Sequence, residues 1–223
     1  MINYVFAILI AAVISYLLGS CNSAIITVRI MKGEDVRKFG SGNAGLTNTL
    51  RCFGKLPALI TLIGDLSKGV VAVLLSRLMC HLLDAGIGGG DVRYIGYIAG
   101  FFAVIGHIFP IYYGFKGGKG VLVGVSLFIV IDPVAFGILI LIFALILTIS
   151  KYVSLSSIIA AASAPIVTFL LHYFIEDTSL NLSLVHTVLT VPIALTIIYM
   201  HKSNIERLRN GNENKFSFKK KEG

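Results

Sequence analysis

The chain alternates long apolar runs with short polar segments. The runs cover Val5–Val28, Leu56–Leu83, Tyr94–Tyr113, Gly120–Ile131, Val134–Ile149, Ser154–Ile175 and Leu184–Met200. A helix crossing a bilayer needs about 20 apolar residues, so most of these runs predict membrane-spanning helices. The fourth and fifth are short, and Asp132-Pro133 divides them. Proline lacks an N–H and restricts the residue before it, so the dipeptide predicts a turn or a kink. Periodicity alone leaves six and seven spans open. The first run has no basic segment before it and no small-residue cleavage site after it, which predicts a retained helix rather than a signal peptide.

Charge resolves the count. With seven spans, the odd-numbered loops and the C-terminal tail share one face, and that face collects 16 of the 19 Lys and Arg. They are Arg29, Lys32, Arg37, Lys38, Arg51, Lys55, Lys116, Lys119, Lys151, Lys202, Arg207, Arg209, Lys215, Lys219, Lys220 and Lys221. The opposite face keeps Arg93 with Asp84, Asp91, Asp132, Glu176 and Asp177, and Lys68 and Arg77 fall inside the second span. Positive charge marks the cytoplasmic side. The expectation is an all-α integral membrane protein of seven transmembrane helices, N-terminus outside and C-terminus cytoplasmic. It forms one membrane-embedded domain over residues 1–223, with a short basic tail over 201–223.

Composition agrees: 56% of the 223 residues are hydrophobic and 13% charged, with a mean hydropathy of +0.88. The net charge of +8 follows the topology, and no aromatic stacking platform accompanies it, which argues against nucleic acid. Cys21, Cys52 and Cys80 stand at unrelated spacings and are expected to be free thiols.

Three polar segments stand out, and the same parity places all of them on the cytoplasmic face. The first is Gly40-Ser-Gly-Asn-Ala-Gly-Leu-Thr-Asn-Thr-Leu-Arg51. Ser41, Asn43, Thr47 and Asn48 crowd together with Gly40, Gly42 and Gly45, which suits a hydroxylated ligand, while the Arg51 fork suits phosphate oxygens. A surface loop with Asx turns and a helix cap would use the same residues. The second is Gly114-Phe-Lys-Gly-Gly-Lys-Gly120, where glycines let backbone approach an anion and Lys116 and Lys119 add charge. It misses the nucleotide P-loop, being one residue short from Gly114 and having Gly120 after Lys119, so ATP and GTP are not inferred. A basic turn at the cytoplasmic face would read alike.

The third segment runs from His201 through Asn204 and Glu206 to Glu213. Its cations, and those at 219–221, suit lipid headgroups. His201 and Asn204 do not serve charge attraction. His107 precedes Ile-Phe-Pro110 near the end of the third span and suits either catalysis or a helix-end donor. Asp65 and Lys68, three apart in the second span, suit an intrahelical pair that eases burial. His81, His172 and His186 lie toward the outer face and are expected to be uninvolved. No cytoplasmic acid cluster suits a divalent metal, no carboxylate pair suits glycoside chemistry, and no Gly-x-Ser-x-Gly elbow offers a nucleophile. Neither a cofactor nor a metal is expected, and no protein partner can be inferred.

These segments resemble the motifs of the bacterial acyl-phosphate:glycerol-3-phosphate acyltransferases, integral membrane enzymes of phospholipid biosynthesis. Gly40–Arg51 is similar to the family's first motif. Gly106-His-Ile-Phe-Pro110 with Phe115-Lys-Gly-Gly-Lys-Gly-Val121 is similar to its second, and His201–Glu213 to its third. Leu122-Val123 departs from the Ala-Thr that often follows the second motif, and the tail is more basic than usual. The resemblance implies transfer of a fatty acyl group from acyl phosphate to glycerol 3-phosphate, giving 1-acylglycerol 3-phosphate and phosphate. It implies a cytoplasmic-face site in the bacterial inner membrane. Ser41, Arg51 and Lys119 would serve the acceptor, with Asn204 and His201 orienting it. Lys116 and the backbone of Gly117, Gly118 and Gly120 would hold the donor phosphate. Gly40, Gly42, Asn43, Thr47, Asn48, His107 and Glu206 would complete the binding set. The rival from another class is a secondary transporter of an organic phosphate, which would predict access from both faces and an inverted repeat; no repeat is evident.

Overall fold

The computed structural model describes residues 2–83 and 93–216. Asp84 and Asp91 of the charge count, and the expected headgroup anchor at Lys219, Lys220 and Lys221, lie outside the described residues. Among the described residues the regular secondary structure is helical: α1 (Ile2–Ser20), α2 (Ser23–Lys32), α3 (Leu46–Phe53), α4 (Lys55–Leu82), α5 (Arg93–Ile108), α6 (Val121–Ser126), α7 (Phe128–Ile131), α8 (Pro133–Ser150), α9 (Val153–Leu170), α10 (Leu180–Met200) and α11 (Lys202–Arg209). Single 3-10 turns occupy Val36–Lys38 and Ile111–Tyr113, and one π turn, Leu171–Ile175, extends α9.

Among the described residues, six stretches are long and apolar enough to cross a membrane: Val5–Lys32, Lys55–Leu82, Arg93–Tyr113, Pro133–Ser150, Val153–Ile175 and Leu180–Met200. The expected fourth span is shorter than the rest. Val121–Ile131 rises about 16 Å at 1.5 Å per residue, half of a hydrocarbon core about 30 Å thick. Asp132 leaves helical geometry with φ −155° and ψ 87°, so Asp132-Pro133 breaks the chain rather than merely bending it. The first span also departs from expectation. Val5–Val28 is not one helix: Asn22 is extended at φ −71° and ψ 108° and caps α2 by accepting from Ile25 N–H at 3.0 Å. An asparagine that can cap competes with helix continuation, and here the cap wins.

The structure divides into two compact units, Met1–Pro133 and Val134–Gly223. In the first, α1 packs on α4 and α5, and α4 also packs on α2, α3 and α6. Apolar driving force is weak between helices in lipid, so close approach depends on small residues. A Cβ on Gly19 would overlap the Ala103 carbonyl, and one on Gly106 would overlap the Tyr16 carbonyl. The α1–α5 crossing is therefore set from both sides by missing side chains. Gly69 does the same for α6, where a side chain would strike Ser126.

In the second unit α9 and α10 pair, and α11 packs on α9. The apolar helix α8 buries only Ala135 and Leu139. Buried Ser156 and Ser157 return their hydroxyls to the carbonyls of Tyr152 and Val153 at 2.9 and 2.8 Å, which removes polar groups from competition with lipid.

Candidate active site

The first polar segment is a loop built around one side chain. Asn48, 2% exposed on α3, donates through Nδ2 to the carbonyls of Val36 and Phe39 at 3.2 and 3.0 Å. Its Oδ1 accepts from Ser41 N–H at 3.0 Å. Asn48 thus spends its amide on folding the loop back over α3. Gly42, at φ +71°, supplies the left-handed turn that lets Ser41 surface. Ser41, Gly40, Gly42 and Arg51 are exposed, and Asn43 and Thr47 are half-buried.

The second segment packs against the first. Asn22 Nδ2 donates to the Ala44 carbonyl at 3.2 Å, and a Cβ on Gly118 would crowd that same oxygen and the His107 ring. Arg37 reaches across: its Nη1 donates to the carbonyls of Tyr113 at 2.7 Å and Lys116 at 3.0 Å. Its other edge is held by Asp35, with Nη2 to Oδ2 at 2.7 Å. Arg29 adds a second cation to Asp35 at 3.1 Å and lies 5.3 Å from the centre of the Tyr113 ring. The Arg37 hydrogen bond, aided by Arg29, holds the Asp35 carboxyl well below the usual carboxylate range. The same pairing raises the Arg37 guanidinium above its ordinary value.

Within the turn, Gly117 N–H donates to the Ile108 carbonyl at 3.0 Å and Gly118 N–H to the His107 carbonyl at 3.1 Å. Two of the amides expected to face a phosphate therefore cap the end of α5 instead, because that helix end offers unpaired carbonyls. Gly117 and Gly118 contribute shape. Gly120, at φ +80°, starts α6, and Lys116 is exposed while Lys119 is half-buried.

His107 is 3% exposed, and its Nδ1 lies 2.8 Å from Lys68 Nζ, which also meets Asp65 Oδ1 at 2.9 Å. The expected Asp65–Lys68 pair is present, and it includes the histidine.

The third segment belongs to the second unit. Glu213 gathers three donors: Asn204 Nδ2 at 2.8 Å, Arg207 Nε at 2.7 Å and Ser154 Oγ at 3.0 Å. Burial raises the Glu213 pKa, but the bonds from Asn204, Arg207 and Ser154 together outweigh it, and the carboxyl titrates below its ordinary value. His201 is buried with Nδ1 2.8 Å from the Ile197 carbonyl, and Glu206 is exposed.

With this arrangement in view, the glycerol-3-phosphate acyltransferase family model matches residues 9–211. The chain is 39% identical to the glycerol-3-phosphate acyltransferase of Chlorobaculum tepidum, over 94% of this chain and 96% of the relative. The chain belongs to the glycerol-3-phosphate acyltransferase family. Among solved structures it is similar to the glycerol 3-phosphate form of PlsY, an integral membrane glycerol 3-phosphate acyltransferase. The TM-score is 0.73 and the identity 31%, over 94% of this chain and 96% of that one. The lysophosphatidic acid form of PlsY matches with a TM-score of 0.70 and 30% identity, over 94% and 95%. This glycerol-3-phosphate acyltransferase is thus a multi-pass membrane enzyme, and the transporter reading is set aside.

Sequence reasoning missed several residues that shape the acyltransferase site. Arg37 counts only as one basic residue among many until the Tyr113 and Lys116 carbonyls are seen beside it. Asn22 carried a readable signal, a cap-forming side chain in a polar break (Ser20-Cys-Asn-Ser23) before an apolar run. The expectation that the chain holds no His-x-x-x-x-Asp acyltransferase box is wrong as to spacing, because His172-Tyr-Phe-Ile-Glu-Asp177 has it. His172 is fully buried, 2.7 Å from His186 Nδ1, whereas Asp177 is exposed.

Proposed function

We propose that this acyltransferase moves a fatty acyl group from acyl phosphate directly to a hydroxyl of glycerol 3-phosphate, releasing phosphate and 1-acylglycerol 3-phosphate. The observation that carries the reading is the joining of the first two polar segments by Asn22, Arg37 and the Ala44–Gly118 contact. Two cationic, glycine-rich loops side by side suit a reaction in which both substrates bring a phosphate. Ser41, Arg51 and Lys119 take the glycerol 3-phosphate side, with Gly40, Gly42, Asn43 and Thr47 around them. Lys116 and the turn through Gly120 take the donor phosphate. His201 and Asn204 keep the role that the resemblance implies, orientation of the acceptor.

Acyl phosphate is already an activated mixed anhydride, so no protein nucleophile is required. The acceptor oxygen bonds to the acyl carbon, the acyl–phosphate bond breaks, and the cations stabilise charge gathering on the departing phosphate. The acceptor proton leaves with a substrate phosphate or with His201. His107 does not supply that base in the form seen here, because its Nδ1 already accepts from Lys68.

The topology proposed is seven crossings, N-terminus outside and C-terminus inside, with the loops of the site on the cytoplasmic face of the bacterial inner membrane and lipid around the helices. Val121–Ile131 would make the fourth crossing. Non-helical backbone is tolerated at membrane depth where protein buries it, and the turn before this helix is buried at Gly118 and Gly120.

The test uses purified protein with acyl phosphate and glycerol 3-phosphate, following phosphate and lysophosphatidate together. Equal release of both, dependent on the acceptor and lost in Ser41→Ala, is expected. Arg51→Lys is expected to lose most activity despite its charge, because the fork is gone. A trapped covalent acyl-enzyme would defeat direct transfer.

A further inference from the structure

The glycine–lysine turn rests on a buried cation. Lys68 lies in mid-span on α4 and is 7% exposed. Its Nζ reaches three acceptors: Asp65 Oδ1 at 2.9 Å, His107 Nδ1 at 2.8 Å and the Cys21 carbonyl at 3.4 Å. An ammonium has N–H donors and no acceptor; here it hydrogen-bonds the His107 nitrogen and the Cys21 carbonyl and forms an ion pair with Asp65. The third acceptor exists because the first span is broken: Asn22 Oδ1 takes the Ile25 N–H, which a continuous helix would have directed to Cys21.

The consequence falls on His107. A group that can only donate occupies its Nδ1, so the imidazole is neutral and carries its proton on Nε2. That Nε2 edge faces Gly118, where any Cβ would collide with it. The His107 carbonyl meanwhile holds Gly118 N–H at 3.1 Å. One residue thus fixes the turn from both its ring and its backbone. An Asp–Lys pair serving only to neutralise a buried charge would have no need of the histidine.

We propose that Lys68 is a positioning residue for the acyl transfer. It locks His107 in one tautomer and one orientation, and His107 in turn sets the shape of the Gly114–Gly120 turn. The role rests on the reading that this turn carries the donor phosphate, and the experiment separates the two.

Two double variants of the full chain are compared in detergent, Asp65→Leu/Lys68→Gln and Asp65→Leu/Lys68→Met, leucine being chosen because an asparagine at 65 would bring a second N–H donor to a position 3.7 Å from His107 Nδ1. Both remove the ion pair and leave no buried unpaired charge, but only glutamine retains an N–H for His107 Nδ1. Steady-state KM values for acyl phosphate and glycerol 3-phosphate are measured, and 15N spectra of histidine-labelled protein report the His107 tautomer. The expected result is an Nε2–H tautomer in wild type and near-normal kinetics in the glutamine variant. The methionine variant should raise KM for acyl phosphate roughly tenfold or more. Unchanged KM and kcat in the methionine variant would overturn the proposal. So would an Nδ1–H tautomer in wild type, a readout that needs no variant to fold. A rise in KM for glycerol 3-phosphate instead would keep the positioning role and reassign the turn to the acceptor.

Discussion

Adding one methyl group at Gly118 tests how tightly the turn is held. In Gly118→Ala the new Cβ would stand 2.6 Å from the Ala44 carbonyl oxygen and 3.0 Å from His107 Cε1, with Nε2 nearer still. The carbonyl contact falls about 0.8 Å short of the 3.4 Å at which ordinary contact begins. Neither obstacle can swing aside. Ala44 O is backbone tethered by Asn22, and the ring is held by Lys68. The turn itself must move by something approaching 1 Å. Overpacking of this kind costs about 1–3 kcal/mol of stability, and a 1 Å misplacement of a positioning element costs up to about a hundredfold in rate. The assay is phosphate release from acyl phosphate with glycerol 3-phosphate, beside a thermal melt in the same detergent. Gly137→Ala supplies the contrast, because a Cβ there meets nothing within 4 Å. It lies inside α8 and should raise stability by up to about 1 kcal/mol through helix propensity alone. Wild-type activity and melting in Gly118→Ala would refute the packing described here.

Arg37→Lys keeps the charge but loses the fork that spans Asp35 and the carbonyls of Tyr113 and Lys116. Transfer should fall roughly tenfold or more while the protein stays folded, read as kcat/KM beside circular dichroism. Asn22→Ala removes both the α2 cap and the Ala44 tether, and should cost about 1–2 kcal/mol in thermal unfolding. Glu213 has a folded pKa below its ordinary value of 4.5, so the stability it adds is present above 4.5 and is lost as pH falls through the lower folded value. Limited proteolysis of the C-terminal segment should therefore accelerate below about pH 4.5. Glu213→Gln should accelerate it already at neutral pH and remove the pH response.

The spans were legible because an uninterrupted apolar run has few alternatives to a helix in lipid. Their interruptions were less legible. At Asn22 the outcome depends on whether the side chain finds Ile25 N–H, and an apolar average conceals one such competitor. At Asp132 the sequence allowed a turn or a kink, and only the backbone angles decide. The polar segments announced anion chemistry through composition, yet composition cannot apportion tasks within a segment. Asn48 looks like Asn43 on paper, but one builds the loop and the other remains near its surface. Gly117 and Gly118 looked like phosphate donors until the end of α5 claimed their N–H groups. Lys68 and His107 are 39 positions apart, and nothing local hints that they touch.

The bonds around Glu213 change what counts as the end of this protein. One carboxylate anchors Ser154, Asn204 and Arg207, and three residues beyond Glu213 the Phe216 N–H is bonded to the Lys151 carbonyl at 2.6 Å. The segment after α11 is therefore a seam closing the second unit. A deletion made at residue 212 to trim a basic tail would strip one acceptor from three donors, whereas a tag fused after residue 216 would leave every one of these bonds in place.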